Sequence, residues 1–279
     1  LRDDKVNRAA KEKADRAREK VKQRRSGLHD RRRVTHTGPA DGRSSHSAPE
    51  GSTGTIFPNR IKEPVVGQPV LMDGANNRKI GGDVLVGRLK GARILTLSIE
   101  ERRTCPTTCQ HWQTCYGNNM SLAIRWRHGQ PLEAAIKHQI ASHFDRRRPK
   151  PLLVRLHVLG DFYSMAYLEM WAQLIDEYPL LHVFGFTAWP SDSPIGAGIK
   201  RIREAAPDQF AVRTSGESGA MGSWTIDWPT EKRFVRINGD TGMVCPEQRD
   251  ANDTGQREKH CGNCAACWQS DVPVVFIEH

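Results

Sequence analysis

Between Ala92 and Thr214 the chain alternates short, almost wholly apolar runs with stretches of helical period, and this alternation restricts the fold more than any other feature. The runs Ala92–Ile99 (ARILTLSI), Leu152–Leu159, Leu181–Thr187 and Phe210–Thr214 have strand length and strand composition. Leu132, Ile136, Ile140 and Phe144 recur every four residues, which predicts a helix over 131–146 with Pro131 in its first turn. Ser164 can cap a second helix that runs to Tyr178 and turns Tyr167, Trp171, Leu174 and Tyr178 inward. Ile195, Ile199 and Ile202 mark a third helix after Pro194. Strands joined in this way form a parallel sheet with crossover helices. With Phe234–Asn238 and Val274–Ile277 added, the expectation is an α/β fold: a partial (β/α) barrel-like parallel sheet of about six strands, its chemistry at the C-terminal strand ends. Ahead of this series, Pro69–Met72 and Asp83–Val86 read as short strands separated by GANNRKIGG.

Charge divides the chain differently. Of the net charge of +10, residues 1–36 carry +8, from 14 Lys or Arg against 6 Asp or Glu. Val6 and Val21 give that segment almost no apolar face, so it reads as an exposed or transient helix. Residues 37–54 (TGPADGRSSHSAPEGSTG) read as a Gly/Ser/Pro linker, with the folded α/β cysteine-cluster domain over 55–279. A basic tail attracts polyanions without choosing among them, which makes nucleic acid a candidate partner. No apolar segment resembles a secretory signal or a membrane span, so the expectation is a cytoplasmic protein with no membrane contact.

Seven cysteines in two tight groups then read as metal ligands rather than disulfides. Cys105, Cys109 and Cys115 follow the strand ending at Ile99 with the spacing C-x3-C-x5-C. Three thiolates can hold a [4Fe–4S] cluster and leave one iron open to a substrate or cofactor. The alternatives are a zinc site with His111 as fourth ligand, or three thiols without metal. Cys245, Cys261, Cys264 and Cys267 form CP-x14-C-x2-C-x2-C, which is closer to a ferredoxin-type run than to paired zinc knuckles. Four ligands close that site, for a structural or electron-transferring role.

Polar residues sit on the strand ends. Strand alternation puts Arg155 and His157 on one face, continued by Asp161 after Gly160. Arg213, Ser215 and Glu217 repeat the pattern, as do Arg236, Asn238 and Asp240. A crevice lined by Arg155, His157, Arg213 and Arg236 would attract a carboxylate or phosphate; buried structural ion pairs are the plainer alternative. Trp112, Tyr116, Phe162, Tyr163 and Trp189 could stack on a base or serve as core.

The runs CPTTCQHWQTCYGNN, LGDFYSMAYLEMW, FGFTAW and VCPEQ…CGNCAACWQSDVPVVFIEH resemble the phage and plasmid "gene product eighty-eight" family over roughly residues 65–279. A more distant likeness is to radical S-adenosylmethionine enzymes. That likeness implies a catalytic cluster on Cys105, Cys109 and Cys115 and cofactor contacts from Gly160 and Asp161. It also implies an auxiliary cluster on Cys245, Cys261, Cys264 and Cys267. The chain departs from it in two places: C-x3-C-x5-C replaces the usual C-x3-C-x2-C, and Gly-Asp-Phe stands where Gly-Gly-Glu is common. The expectation is an iron–sulfur enzyme of this architecture, with one or two [4Fe–4S] clusters and S-adenosylmethionine as candidate cofactors. Its substrate would be a nucleotide or nucleic acid. The rival expectations are a non-enzymatic nucleic-acid-binding protein with structural zinc sites and an iron–sulfur redox sensor.

Overall fold

The computed structural model describes residues 47–227, 230, 232–237, 239–249 and 259–277. The basic tail and most of the linker lie outside the described residues, as does Asn238. One sheet of nine strands dominates: β1 (Met72–Asp73), β2 (Arg93–Ser98), β3 (Leu152–Leu159), β4 (Leu181–Thr187), β5 (Phe210–Ser215), β6 (Gly222–Ile226), β7 (Phe234–Ile237), β8 (Asp240–Val244) and β9 (Val274–Ile277). Their order is β1-β2-β3-β4-β5-β6-β9-β8-β7. From β2 to β8 the neighbours run parallel, and only the two edge strands, β1 and β7, pair antiparallel. Three helices, α1 (Gln130–Phe144), α2 (Met165–Glu177) and α3 (Pro194–Ala205), cross between β2 and β5. Ser164 caps α2 by accepting from Tyr167 N at 3.1 Å, and Ser193 caps α3 through Gly196 N.

The sheet is larger than the sequence pattern suggests and is mixed rather than wholly parallel. Asp83–Val86 forms only a bridge from Asp83 to Arg93, and the strand expected at Pro69–Met72 is confined to Met72–Asp73. The strands missing from the expectation, β6 (GSWTI) and β8 (DTGMV), each carry a glycine that reads as a turn signal. Close approach explains Gly242: a Cβ there would lie 3.1 Å from the Trp224 ring, between adjacent layers.

One face of the sheet is the main core. Leu95 and Leu97 of β2, Leu152 and Val154 of β3, Val183 of β4 and Val212 of β5 pack under Ile136, Trp171 and Ile199 of the three helices. Helix amphipathicity and strand alternation together bury this face, which is why the periodic signal was strongest here. The other face carries Ile94, Leu153, Phe184 and Ala211, and is covered by residues 80–92 and by the cysteine segment through Ala265 and Trp268. It is concave. Phe186 of β4 and Phe276 of β9 are three strand positions apart, ~14 Å on a flat sheet, yet their ring centroids lie 4.9 Å apart.

A bulge changes one expectation. Register between β2 and β3 slips between Thr96 and Ser98. Arg155 therefore stays on the concave face over Phe184 and Phe186, whereas His157 turns to the helix face and meets Tyr167 Oη at 2.9 Å. The two do not share a face. Burial, with Arg155 adding to it, pulls the His157 pKa down to about 3, so the ring is neutral. Between that value and the unfolded value near ~6.5 the unfolded chain binds the extra proton, so stability falls as pH falls. Urea denaturation should show a contribution from His157 of about 2 kcal/mol lost between pH 7 and pH 5. His157→Gln should flatten the pH dependence by that amount; an unchanged slope would mean the ring is hydrated.

Candidate metal centres

The cysteines of the second group come from two places. Cys245 ends β8, and Cys261, Cys264 and Cys267 lie on two single helical turns, Cys261–Cys264 and Ala266–Gln269. Ala265 joins the turns with φ +60°, a left-handed conformation. All four thiols line one small cavity on the concave face, together with Glu247, His260 and Trp268. Arg213 fixes the segment. It is fully buried and donates to the carbonyls of Cys267, Val272, Ala266 and Ser270. Burial pushes the thiols of Cys245, Cys261 and Cys267 up, Cys267 to about 11, while Lys79, Arg155 and Arg213 oppose that shift.

The first group sits on the loop after β2. Glu101 and Arg125, both without solvent exposure, form a bidentate pair with contacts of 2.9 Å. Arg125 also donates to the carbonyls of Gly117, Met120 and Ala123, and Arg102 to Trp112 O and Asn118 Oδ1. Arg102 holds φ +65°, an uncommon conformation for a side chain of its size. Residues 47–55, assigned above largely to the linker, dock here: Trp112 Nε1 donates to Ser52 O and Thr55 Oγ1 to Glu101. The loop thus has a polar frame of its own. Backbone N–H groups of Arg102, His111 and Gly117 point at Cys105, Cys109 and Cys115 respectively.

The Gly160–Asp161 turn abuts this loop. Gly160 has φ +82°, and a Cβ there would meet Thr104 Oγ1 at 2.7 Å. Thr104 accepts from Asp161 N and donates to Glu100 O, so it ties the turn to the cysteine loop. The buried Asp161 carboxylate accepts from Phe162 N, Thr187 Oγ1 and Ala188 N. Burial outweighs those bonds and raises its pKa to about 7. The negative charge of Asp161 raises Cys105 and Cys109 further.

The other strand-end residues do not converge. Arg213 is occupied by carbonyls of the second cysteine segment, and Arg236 is exposed on edge strand β7. Glu217 holds the Ser191 turn and Asp240 receives Gly219 N. Of the five candidate stacking aromatics, Phe162, Tyr163 and Trp189 belong to the helix-face core, and Trp112 is bonded to Ser52. Tyr116 alone keeps a half-exposed ring, with its hydroxyl on Val158 O.

Does either site suit metal? Among the described residues no group of three or more His, Cys, Asp or Glu side chains is placed to hold a metal ion. A cubane distributes its ligands over four irons, so its cysteine sulfurs stand further apart than those around one tetrahedral ion. The second cavity also contains a donor without an acceptor: Trp268 Nε1 is buried and unpaired beside the four thiols. Metal-bound thiolates could supply that acceptor, whether the metal is zinc or a cluster. Amides of Glu247 and Gln248 directed at Cys245 are of the same kind as those at the first site. Both sites thus bring cysteines and inward-directed backbone amides together, without donors spaced for a single metal ion among the described residues.

A family model described as gene product 88 matches residues 70–270. The chain belongs to the gene product 88 family. The matched span includes all seven cysteines, the polar frame of the first loop, and Arg155. No curated protein and no solved structure matches the chain. Among the described residues no helix is long and apolar enough to cross a membrane. In this family member, Glu101, Arg102, Arg125, Lys79 and Trp268 all bear on the sites without having been singled out above. Trp268 adjoins Cys267 in sequence, which is a usable signal. Arg125 had none, because its partner lies 24 residues away.

Proposed function

We propose that this chain is an iron–sulfur enzyme with two centres on a partly rolled α/β sheet of radical S-adenosylmethionine-like architecture. Cys245, Cys261, Cys264 and Cys267 would hold a closed cluster, and Cys105, Cys109 and Cys115 a cluster with one open iron. The observation that carries the reading is the convergence of four cysteines, from β8 and from two helical turns, on one small cavity. An open-iron cluster held by Cys105, Cys109 and Cys115 would supply one-electron chemistry. The protein's own residues would do the rest. Arg102, Arg125 and Glu101 hold the three-cysteine loop, and Thr104 fixes the Gly160–Asp161 turn against it. Asp161 accepts three hydrogen bonds, which leaves about one carboxylate lone pair for an ammonium group. The concave face between the sites would take the substrate.

The test is anaerobic purification with iron, sulfide and zinc analysis, followed by reduction in the presence of S-adenosylmethionine. Equal iron and sulfide, with slow cofactor cleavage, is the expected result. Zinc in place of iron would replace the proposal with structural metal sites. Clusters without cleavage would leave a redox role.

A further inference from the structure

Arg155 is set apart from the other buried arginines. Arg102, Arg125 and Arg213 direct their N–H groups at backbone carbonyls or a carboxylate. Arg155, half-buried at mid-strand in β3, makes one hydrogen bond, to Leu156 O, and pairs with no carboxylate among the described residues. It is held by rings instead: its guanidinium carbon lies 4.9 Å from the Phe186 centroid and 5.5 Å from Phe184. Aromatic faces stabilise a cation but accept none of its in-plane N–H bonds. Four of five donors are left for something else.

The surroundings leave Arg155 as the cation without a carboxylate. Phe186 contacts Phe276 at 4.9 Å, and Lys79, 4.9 Å over Phe276, already lies 3.8 Å from the Glu247 carboxylate, whereas Arg155 has no such partner among the described residues. Gly185 lets the Leu156 carbonyl, which accepts the one Arg155 hydrogen bond, pass close by: a Cβ there would meet it at 1.7 Å. The Arg155 charge is felt on one side at Tyr116 and Asp161 and on the other at Cys261 and Cys267. It therefore lies within electrostatic reach of both cysteine sites.

We infer that Arg155 is an oxyanion-binding residue, and that its partner is a carboxylate or phosphate on the molecule this protein acts on. A guanidinium with a free edge binds either group through two parallel bonds, which an ammonium cannot reproduce. The inference deepens the proposed function by naming the substrate class, and rests on it only for calling the ligand a substrate. The oxyanion site itself needs no cluster.

The test uses the full chain as purified, with iron and sulfide measured on every sample. Phenylglyoxal labels arginines, and peptide mapping reads which ones react. Arg155 should be labelled in the free protein and protected by inorganic phosphate, by acetate, or by both, while exposed Arg127 should be labelled regardless. The probe that protects at lower concentration names the group. NMR titration with the same probes should show at least a tenfold affinity loss for Arg155→Met and a smaller loss for Arg155→Lys. Labelling that neither probe changes, or undiminished binding by a folded Arg155→Met, would overturn the inference. Iron-free protein that still shows protection would sink the cluster reading and leave this one standing. Iron-loaded protein without protection would do the reverse. Loss of iron and sulfide from Arg155→Met with unaltered anion binding would make the guanidinium a countercharge for the second cluster and overturn the inference.

Discussion

Arg125→Met should be among the most damaging single substitutions in the chain, costing about 3–5 kcal/mol by urea denaturation. The cause is what it would leave behind. Glu101 has no solvent exposure and would become an uncompensated buried charge; its remaining partner among the described contacts is the Thr55 hydroxyl. The carbonyls of Gly117, Met120 and Ala123 would lose the guanidinium at the same time, the first two keeping the backbone amides of Met120 and Ala123. Phe57, whose ring lies 5.1 Å from the Arg125 guanidinium carbon, would lose its cation contact. The paired change Glu101→Gln with Arg125→Met should cost less than the single one, because the uncompensated charge is gone. A single substitution that costs under ~1 kcal/mol would show that water reaches the pair, since exposed pairs contribute only that much. Substitution of Arg127, whose contact with Glu63 is exposed, makes the control.

The difference between what the sequence showed and what it did not follows a physical line. β3, β4 and β9 coincide with their expected runs, and the Ser164 cap is where it was placed. Those elements are specified locally, by apolar period and by a side chain that reaches its own helix. β6 and β8 are specified less locally: Gly242 is demanded by Val275 and the Trp224 ring on neighbouring strands and Gly222 by the carbonyls of the turn before it, and both look like turns in isolation. The same division runs through the sites. Cysteine spacing marked both groups, because most members of each are close in sequence; Cys245 joins its three partners only through the fold. The expected crevice of four basic residues failed for a different reason. Strand alternation assumes a regular pleat, and the slip near Thr96 and Ser98 sends His157 to the helix face. Arg213 is on the expected face, but its donors are taken by a segment more than 50 residues later in the chain, which no local pattern reveals.

That asymmetry between a locally framed loop and a long-range one gives the second prediction. Cys109→Ala and Cys264→Ala should each remove about half of the iron, if each site holds one [4Fe–4S] cluster. Their effects on stability should differ sharply. The loop carrying Cys109 is framed by the Glu101–Arg125 pair and the Arg102 bonds without help from metal, so Cys109→Ala should leave the thermal midpoint within a few degrees of wild type. The segment carrying Cys264 closes the concave face through Ala265 and Trp268, and in the proposed reading a cluster held by the four cysteines ties it to Cys245 in addition to the Arg213 bonds. Binding energy at a site assembled only on folding is folding energy. Cys264→Ala should therefore lower the midpoint by ten degrees or more, on the order of 2–4 kcal/mol for a domain of this size. It should also bring early proteolysis between the β8 end and Trp268. Equal stability of the two variants would argue that no metal ties Cys245 to the 261–267 segment. Loss of all iron from either one would mean that the two groups serve a single centre, and the concave face would then have to be read as part of that centre rather than as the space between two.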